Sequence, residues 1–221
     1  VERLFIGIVI PALNEEQTIE QVVSQTINYG IPIVVDDGSK DDTFIKALQA
    51  GANVYKHNIN MGYEAALSTG FDVASKLGCK FVITIDADGQ HNPYQLEEFI
   101  KQLELGYSLV MGCRDKTQRF SEKFFSWTGK LLWGISDPLC GLKGYQIQNY
   151  LKLGTFNTFP SLGTELAIRS ILSGASFIEV PVTTKERFGK SRFGSGFKAN
   201  YKILKALILL ICFQITHRLD F

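Results

Sequence analysis

Apolar positions along the 221-residue chain follow two rhythms that alternate. Short, nearly continuous β-rich runs at Phe5–Pro11, Ile31–Val35, Asn53–Lys56, Phe81–Ile85 and Ser108–Met111 read as strands. Between them, apolar residues recur at helical spacing. They are Ile19, Val22, Val23 and Ile27 within Glu15–Asn28, and Phe44, Ile45 and Leu48 within Asp42–Ala50. Glu64–Leu77 and Gln95–Leu105 repeat the helical pattern. Strands alternating with helices of this length predict βαβ units and a parallel sheet. The strands are apolar along their whole length, as expected where both faces of a sheet are covered. The expected fold class is α/β: a doubly wound, mostly parallel sheet with helices on both faces. From about Thr117 the rhythm is less regular, with an aromatic helix over Phe124–Trp133, a helix beginning at Glu165 and a strand at Val180-Pro181-Val182. There is no internal repeat and no long linker. One domain is expected over residues 1–197, followed by a basic, apolar helix over 198–221.

In such sheets ligands bind beyond the carboxyl ends of the strands, and the polar clusters of this chain fall there. Asn14-Glu15-Glu16 follows the first strand, Asp36-Asp37-Gly38-Ser39 the second and Asp86-Ala87-Asp88 the fourth. Strand side chains alternate, so Asp86 and Asp88 are expected on the same side. Two carboxylates there form a hard oxygen site suited to Mg²⁺ or Mn²⁺ carrying a diphosphate. A polar turn is the plainer alternative.

Composition narrows the class. With 45% hydrophobic and 20% charged residues the chain is globular, and a net charge of +1 argues against a whole-chain nucleic-acid binder. The charge is uneven: Lys185, Arg187, Lys190, Arg192, Lys198, Lys202 and Lys205 are opposed in their tract only by Glu186, which makes the tract an anion-binding candidate. Cys79, Cys113, Cys140 and Cys212 show no zinc spacing and fit reduced thiols in a cytosolic setting. Val1-Glu2-Arg3 runs straight into a strand pattern, with no secretory leader expected.

The ordered motifs are Val9-Ile10-Pro11-Ala12-Leu13-Asn14-Glu15-Glu16, Val34-Val35-Asp36-Asp37-Gly38-Ser39 and Asn60-x-Gly62. They continue with Asp86-Ala87-Asp88-Gly89-Gln90-His91, Gly112-x-Arg114, Asp137-x-x-Cys140-Gly141-Leu142-Lys143 and Arg187-x-Gly189-x-Ser191. Together they resemble family 2 glycosyltransferases of the GT-A fold, and most of all the polyprenyl-phosphate branch that includes dolichyl-phosphate mannose and glucose synthases. The resemblance spans roughly residues 5 to 195. It departs at Met61-Gly62-Tyr63-Glu64-Ala65, where many relatives carry a Gly-Lys-Gly-like run, and at Lys143, where close relatives often have Arg.

The resemblance implies an inverting enzyme that moves a hexose from a nucleotide-diphosphate sugar to a polyprenyl phosphate. Pro11, Ala12, Asn14 and Glu15 would line the nucleotide, with N-capping as a second role for Asn14. Asp37 would accept hydrogen bonds from the base while Asp36 braces the loop, although Asp-Asp-Gly-Ser is also good turn chemistry. Asp86 and Asp88 would hold the metal, with Gln90 completing the sphere and Asp88 the more direct ligand. Asp137 would engage the acceptor, unless it only ends a helix. Arg187 is assigned to the donor, and Arg114, Lys143 and Arg192 to the acceptor phosphate. Glu165 is either an acceptor-side acid or a helix N-terminal acid. Cys140 reads as a small packing residue, and Cys140-Gly141 points to UDP- rather than GDP-sugars. His91 either approaches the ion or caps the next turn, and His57 carries no usable pattern.

The unbroken apolar run Ala206–Phe213 falls far short of the ~20 residues that span a bilayer. Preceded by Lys198, Lys202 and Lys205, it suits a helix lying in the interface of an anionic leaflet, or else a helix packed on the sheet. The expected location is peripheral, on the cytoplasmic face of a membrane. Two alternatives stay open: a soluble saccharide or protein hydroxyl as acceptor, for which Asp137 would act as a true base, and a non-catalytic nucleotide-sugar-binding domain.

Overall fold

The computed structural model describes residues 5–115, 119–185 and 197–217. The expected basic-loop residues Arg187, Lys190 and Arg192 lie outside the described residues.

Among the described residues seven strands form one sheet: β1 (Ile6–Ala12), β2 (Ile31–Asp36), β3 (Asn53–Lys56), β4 (Phe81–Thr84), β5 (Leu109–Arg114), β6 (Lys143–Gln146) and β7 (Phe177–Val182). Their order is β3-β2-β1-β4-β6-β5-β7. The β1–β2, β1–β4, β2–β3 and β5–β7 pairs are parallel. Only β6 runs against its neighbours, antiparallel to both β4 and β5. The chain passes outward from β1 through β2 to β3, then returns to the other side of β1 with β4. That reversal opens a crevice at the carboxyl ends of β1 and β4.

Alternation along the strands divides the core in two. Val9, Ile33, Val82, Met111 and Tyr145 face one side. They meet α3 (Tyr63–Lys76), α5 (Phe120–Trp133), α6 (Ile147–Leu153), α7 (Glu165–Leu172) and α8 (Phe197–His217) through residues such as Phe71, Phe125, Tyr150, Leu166 and Leu207. Ile8, Ile10, Val34, Ile83 and Val110 face the other side, against α1 (Ile19–Thr26), α2 (Thr43–Gln49) and α4 (Leu96–Glu104).

Three elements differ from the expected pattern. Helix α1 starts later than Glu15. Asn14 is in the left-handed region at φ 52°, and its side chain does not cap α1 but accepts from the Lys40 amide at 2.9 Å. The Glu15 and Glu16 amides turn instead to Thr43 Oγ1 (2.8 Å) and Asp41 Oδ2 (3.3 Å). Strand β4 stops at Thr84, so Asp86 and Asp88 stand in the turn beyond it. Strand β6 was not expected at all, and it buries Lys143 inside the fold.

The C-terminal helix is longer than its unbroken apolar run. Residues 197–216 are long and apolar enough to cross a membrane by length and composition, with mean hydropathy 1.4 and 33% of the segment buried. Its buried face, Ala199, Ile203, Ala206, Leu207 and Leu210, belongs to the domain core. Helix α5 lies alongside. Ser121 Oγ donates to Asn200 Oδ1 at 2.6 Å near the start of both helices, and Trp133 Nε1 donates to Gln214 Oε1 at 2.9 Å near their ends.

Candidate functional site

A cavity of about 880 Å³ occupies the crevice at the strand ends. Pro11, Ala12 and Leu13 after β1, Asp37 after β2, and Asp86 and Asp88 after β4 contribute to its wall. Asn60, Gly62, Tyr63 and Glu64 at the start of α3 line it as well, as do Leu139, Gly141, Pro160 and Leu162. Phe197, Lys198, Tyr201, Lys202 and Lys205 of α8 complete it.

Five of the expected site residues thus share one space: Pro11, Ala12, Asp37, Asp86 and Asp88. Asn14, Glu15, Gln90, Arg114, Asp137 and Lys143 are not among its lining residues.

The acidic pair is held from several directions. Tyr63 donates its hydroxyl to Asp86 Oδ1 at 3.1 Å. His91 Nε2 lies 4.0 Å from Asp86 Oδ2, while His91 Nδ1 is buried and has no hydrogen-bond partner among the described residues. Burial pushes the His91 imidazole pKa down, with Asp86 opposing, which favours the neutral ring. Gly141 passes so close that a Cβ there would meet Asp86 Oδ2 at 2.2 Å. Asp88 accepts from the Gln90 amide at 3.1 Å, and the Gln90 side chain donates to the Lys185 carbonyl at 3.3 Å. Thr18 Oγ1 donates to the Ala87 carbonyl at 2.7 Å, tying the turn to the start of α1.

Two hard carboxylates at one cavity wall, with no cluster of three or more His, Cys, Asp or Glu that could hold a metal among the described residues, define an incomplete oxygen set. That set fits Mg²⁺ or Mn²⁺ drawing its remaining oxygens from a diphosphate and water.

Asp37 is committed to the loop that precedes α3. Oδ1 accepts from Met61 N (2.8 Å) and lies 2.7 Å from His57 Nδ1, and Oδ2 accepts from Gly62 N (2.8 Å). Asp36 accepts from Ser39 N at 2.9 Å and lies 3.7 Å from Lys56 Nζ. Both aspartates therefore brace loops, and His57 gains a place that no sequence pattern marked.

The residues expected on the acceptor side are engaged internally. Arg114 grips Asp137 with Nε on Oδ2 (2.7 Å) and Nη2 on Oδ1 (2.9 Å), and its amide also donates to Oδ2 at 3.1 Å. Burial alone would lower the Arg114 pKa, but the Asp137 hydrogen bonds and charge more than reverse this and raise it. Asp137 is 1% exposed. Lys143 is buried and donates to the Gly163 carbonyl at 3.3 Å; burial lowers its pKa. Glu165 is buried and receives Thr158 N, Thr158 Oγ1, Phe159 N and Arg169 Nη1 at 2.8 to 3.3 Å, the partners of a structural acid. Burial pushes the Cys140 thiol up to about 12, so it is an inert packing group.

Tyr63 and Glu64, the departure from the relatives' Gly-Lys-Gly-like run, are built into the site. Glu64 Oε1 accepts from Ser161 N (2.6 Å), Ser161 Oγ (2.6 Å) and Gly163 N (3.2 Å), clasping the 161–163 loop to α3.

The sequence profile of glycosyl transferase family 2 matches residues 7–166. An uncharacterized protein of Methanocaldococcus jannaschii is 31% identical, over 92% of this chain and 91% of its own length. The UDP-N-acetylglucosamine–dolichyl-phosphate N-acetylglucosaminyltransferase of Methanococcus voltae is 28% identical, over 93% of this chain and 95% of its own. Among solved structures, glucosyl-3-phosphoglycerate synthase from Mycobacterium tuberculosis, in complex with Mn²⁺ and UDP-glucose, superposes with a TM-score of 0.75 at 22% identity. That match covers 93% of this chain and 78% of the other, and the shared fold is GT-A. The chain belongs to glycosyl transferase family 2.

Proposed function

We propose that this family 2 glycosyltransferase moves a hexose from a UDP-type nucleotide sugar to a polyprenyl phosphate at the cytoplasmic surface of a membrane. One observation carries the reading: a single cavity joins the acidic strand ends to the apolar wall Leu139, Pro160, Leu162, Phe197 and Tyr201. Such a cavity suits a polar donor at one end and an amphiphilic acceptor at the other. The Methanococcus voltae relative, named for transfer to dolichyl phosphate, supports the acceptor class.

Pro11, Ala12 and Leu13 line the nucleotide in this proposal, and Asp37 shapes its pocket by fixing the Asn60–Gly62 loop. Asn14 and Glu15 brace that end from behind. Asp86 and Asp88 are the residues that would hold Mg²⁺ or Mn²⁺, whose positive charge would, when bound, offset that of a nucleoside-diphosphate leaving group. A phosphate oxygen of the acceptor forms a bond to the anomeric carbon as the bond from that carbon to the diphosphate breaks, with inversion. The acceptor phosphate is already ionised and requires no base. That agrees with an Asp137 spent on Arg114, and this pair is assigned a positioning role beside the acceptor end. Arg187 on the donor and Arg192 on the acceptor phosphate remain proposals from the sequence alone.

Membrane contact is proposed through α5 and α8. Phe120, Phe124, Trp127 and Leu131 are exposed at helical spacing on α5, and Phe197, Tyr201, Leu204 and Ile208 on α8. Lys123 and Lys130 flank the first row. Two adjacent apolar rows edged by lysine suit an interface.

The test is transfer from UDP- and GDP-sugars, with Mn²⁺, Mg²⁺ or EDTA, to a polyprenyl phosphate or to a water-soluble saccharide. Metal-dependent transfer from a UDP-sugar to the lipid phosphate is expected. Transfer to the saccharide alone would overturn the acceptor assignment.

A further inference from the structure

We propose that Lys198, Lys202 and Lys205 of α8 form the recognition site for the acceptor's phosphate, and that the exposed apolar row beside them guides its hydrocarbon chain. The inference rests on the acceptor being the monophosphate of a long apolar alcohol, as proposed above.

The helix turns about 100° per residue, so the three lysines fall within an arc of about 60° and along about 10 Å of axis. Ala199, Ile203, Ala206, Leu207 and Leu210 form a separate stripe buried in the core. Phe197, Tyr201 and Ile208, which are 95%, 67% and 59% exposed, form a third stripe on the other flank of the lysines. One helix therefore presents a core stripe, a cationic stripe and an exposed apolar stripe side by side.

All three lysines, with Phe197 and Tyr201, line the cavity that contains Asp86 and Asp88. None of the three has an ion-pair or hydrogen-bond partner among the described residues. Three lysines with no direct partner among the described residues, on one face of one helix, offer charge-assisted donors to a phosphate. The described residues otherwise assigned to that phosphate are engaged elsewhere, Arg114 by Asp137 and Lys143 by the Gly163 carbonyl. An amphiphile with its phosphate on the lysine stripe can lay its chain on the neighbouring apolar stripe, which runs out of the cavity towards Ile208.

The shared chemistry is a phosphate monoester or diester on a lipid, and the experiment separates acceptor from bulk phospholipid. Lys202→Ala/Lys205→Ala and Lys202→Arg/Lys205→Arg are made in the full chain. The probe acceptor is a short-chain prenyl phosphate kept monomeric in vesicle-free solution. Losing charged hydrogen bonds predicts at least about a tenfold rise in its KM for the alanine variant, with recovery in the arginine variant. Nucleoside-diphosphate affinity in the presence of Mn²⁺, read by calorimetry, is expected to stay within about twofold, because the proposal assigns the lysines to the acceptor phosphate and not to the donor.

Phosphatidylglycerol vesicles without prenyl phosphate form the second arm. If vesicle binding falls while KM for the soluble acceptor holds, the lysines serve bulk lipid and the proposal is overturned. An equal loss of nucleoside-diphosphate affinity assigns them to the donor and also overturns it. Wild-type protein that transfers to no prenyl phosphate overturns both this inference and the proposed acceptor. A wild type that transfers, with an alanine variant of unchanged KM, overturns this inference alone.

Discussion

Gly141→Ala should disable the site while sparing the fold. The added Cβ would stand 2.2 Å from Asp86 Oδ2, 2.8 Å from its Cγ and 3.0 Å from Oδ1. Ordinary carbon–oxygen contacts begin near 3.3 Å, so the nearer carboxylate oxygen must retreat by about 1 Å. Backbone relief is restricted on both sides. The Ile85 amide, beside Asp86, is bonded to the Val9 carbonyl, and the Gly141 carbonyl accepts the Thr84 hydroxyl at 2.7 Å. The side chain therefore has to swing, breaking the 3.1 Å contact with Tyr63. Inner-sphere bonds to Mg²⁺ are about 2.1 Å long, so a displacement of that size removes Asp86 from any coordination sphere it joins. A misplacement of about 1 Å costs on the order of 10²-fold in rate, or about 2.7 kcal/mol. Turnover should fall by about that factor and Mn²⁺ affinity, titrated with nucleoside diphosphate present, should weaken in parallel. Circular dichroism and thermal unfolding report on the fold and should change little. Turnover within about threefold of wild type and an unaltered Mn²⁺ titration would show that the reaction does not require Asp86 where the fold holds it.

Asp88→Ala should abolish turnover and weaken donor binding only when metal is present; wild-type turnover by this variant in EDTA would remove the metal from the site. Asp37→Ala strips the acceptor from Met61 N, Gly62 N and His57, and should cost about tenfold to hundredfold in nucleoside-diphosphate affinity by calorimetry, with or without metal. Tyr63→Phe deletes only the hydroxyl on Asp86; about a tenfold weaker Mn²⁺ titration is expected, and an unchanged one would leave Tyr63 as packing. Trp127→Glu combined with Ile208→Glu should reduce co-sedimentation with anionic vesicles without shifting the thermal transition, since both side chains are exposed. Truncation before Ala206 should instead destabilise the domain, because it removes Leu207 and Leu210 from the core at about 1.5–3 kcal/mol each.

The parallel half of the fold was legible because its residues obey one rule at a time. Ile6–Ala12 is buried at every position, and the α3 and α4 positions that meet the core repeat at helical spacing. Strand β6 defeated the same reading. Lys143-Gly144-Tyr145-Gln146 carries neither an apolar run nor a clean alternation of types, yet its ladder to β4 and β5 is set by tertiary pairing. The delayed start of α1 was hidden for a related reason. The left-handed Asn14 and the side chains of Thr43 and Asp41 take up the loop, and those partners lie 25 or more residues away.

The site divides along the same line. Asp86 and Asp88 were visible because they close an apolar run and stand in order with the acidic clusters after the first and second strands, and both reach the cavity even though β4 ends before them. Asp137, Arg114 and Lys143 carried the right chemistry for an acceptor phosphate, but residue type does not show whether a charge is already spent. Only contacts reveal the Arg114–Asp137 fork and the Lys143 bond to Gly163. The lysines of α8 present the reverse case. Their spacing of four and three residues was in plain view, and beside an apolar run it pointed to a lipid surface. What the sequence did not hold was the depth to which α8 enters the domain. Because Ile203, Ala206, Leu207 and Leu210 anchor one side of the helix in the core, its cationic side is turned into the same cavity as the acidic pair. The feature that resembled a membrane tether is thereby also a wall of the candidate active site, and a surface acceptor would reach the chemistry along that wall.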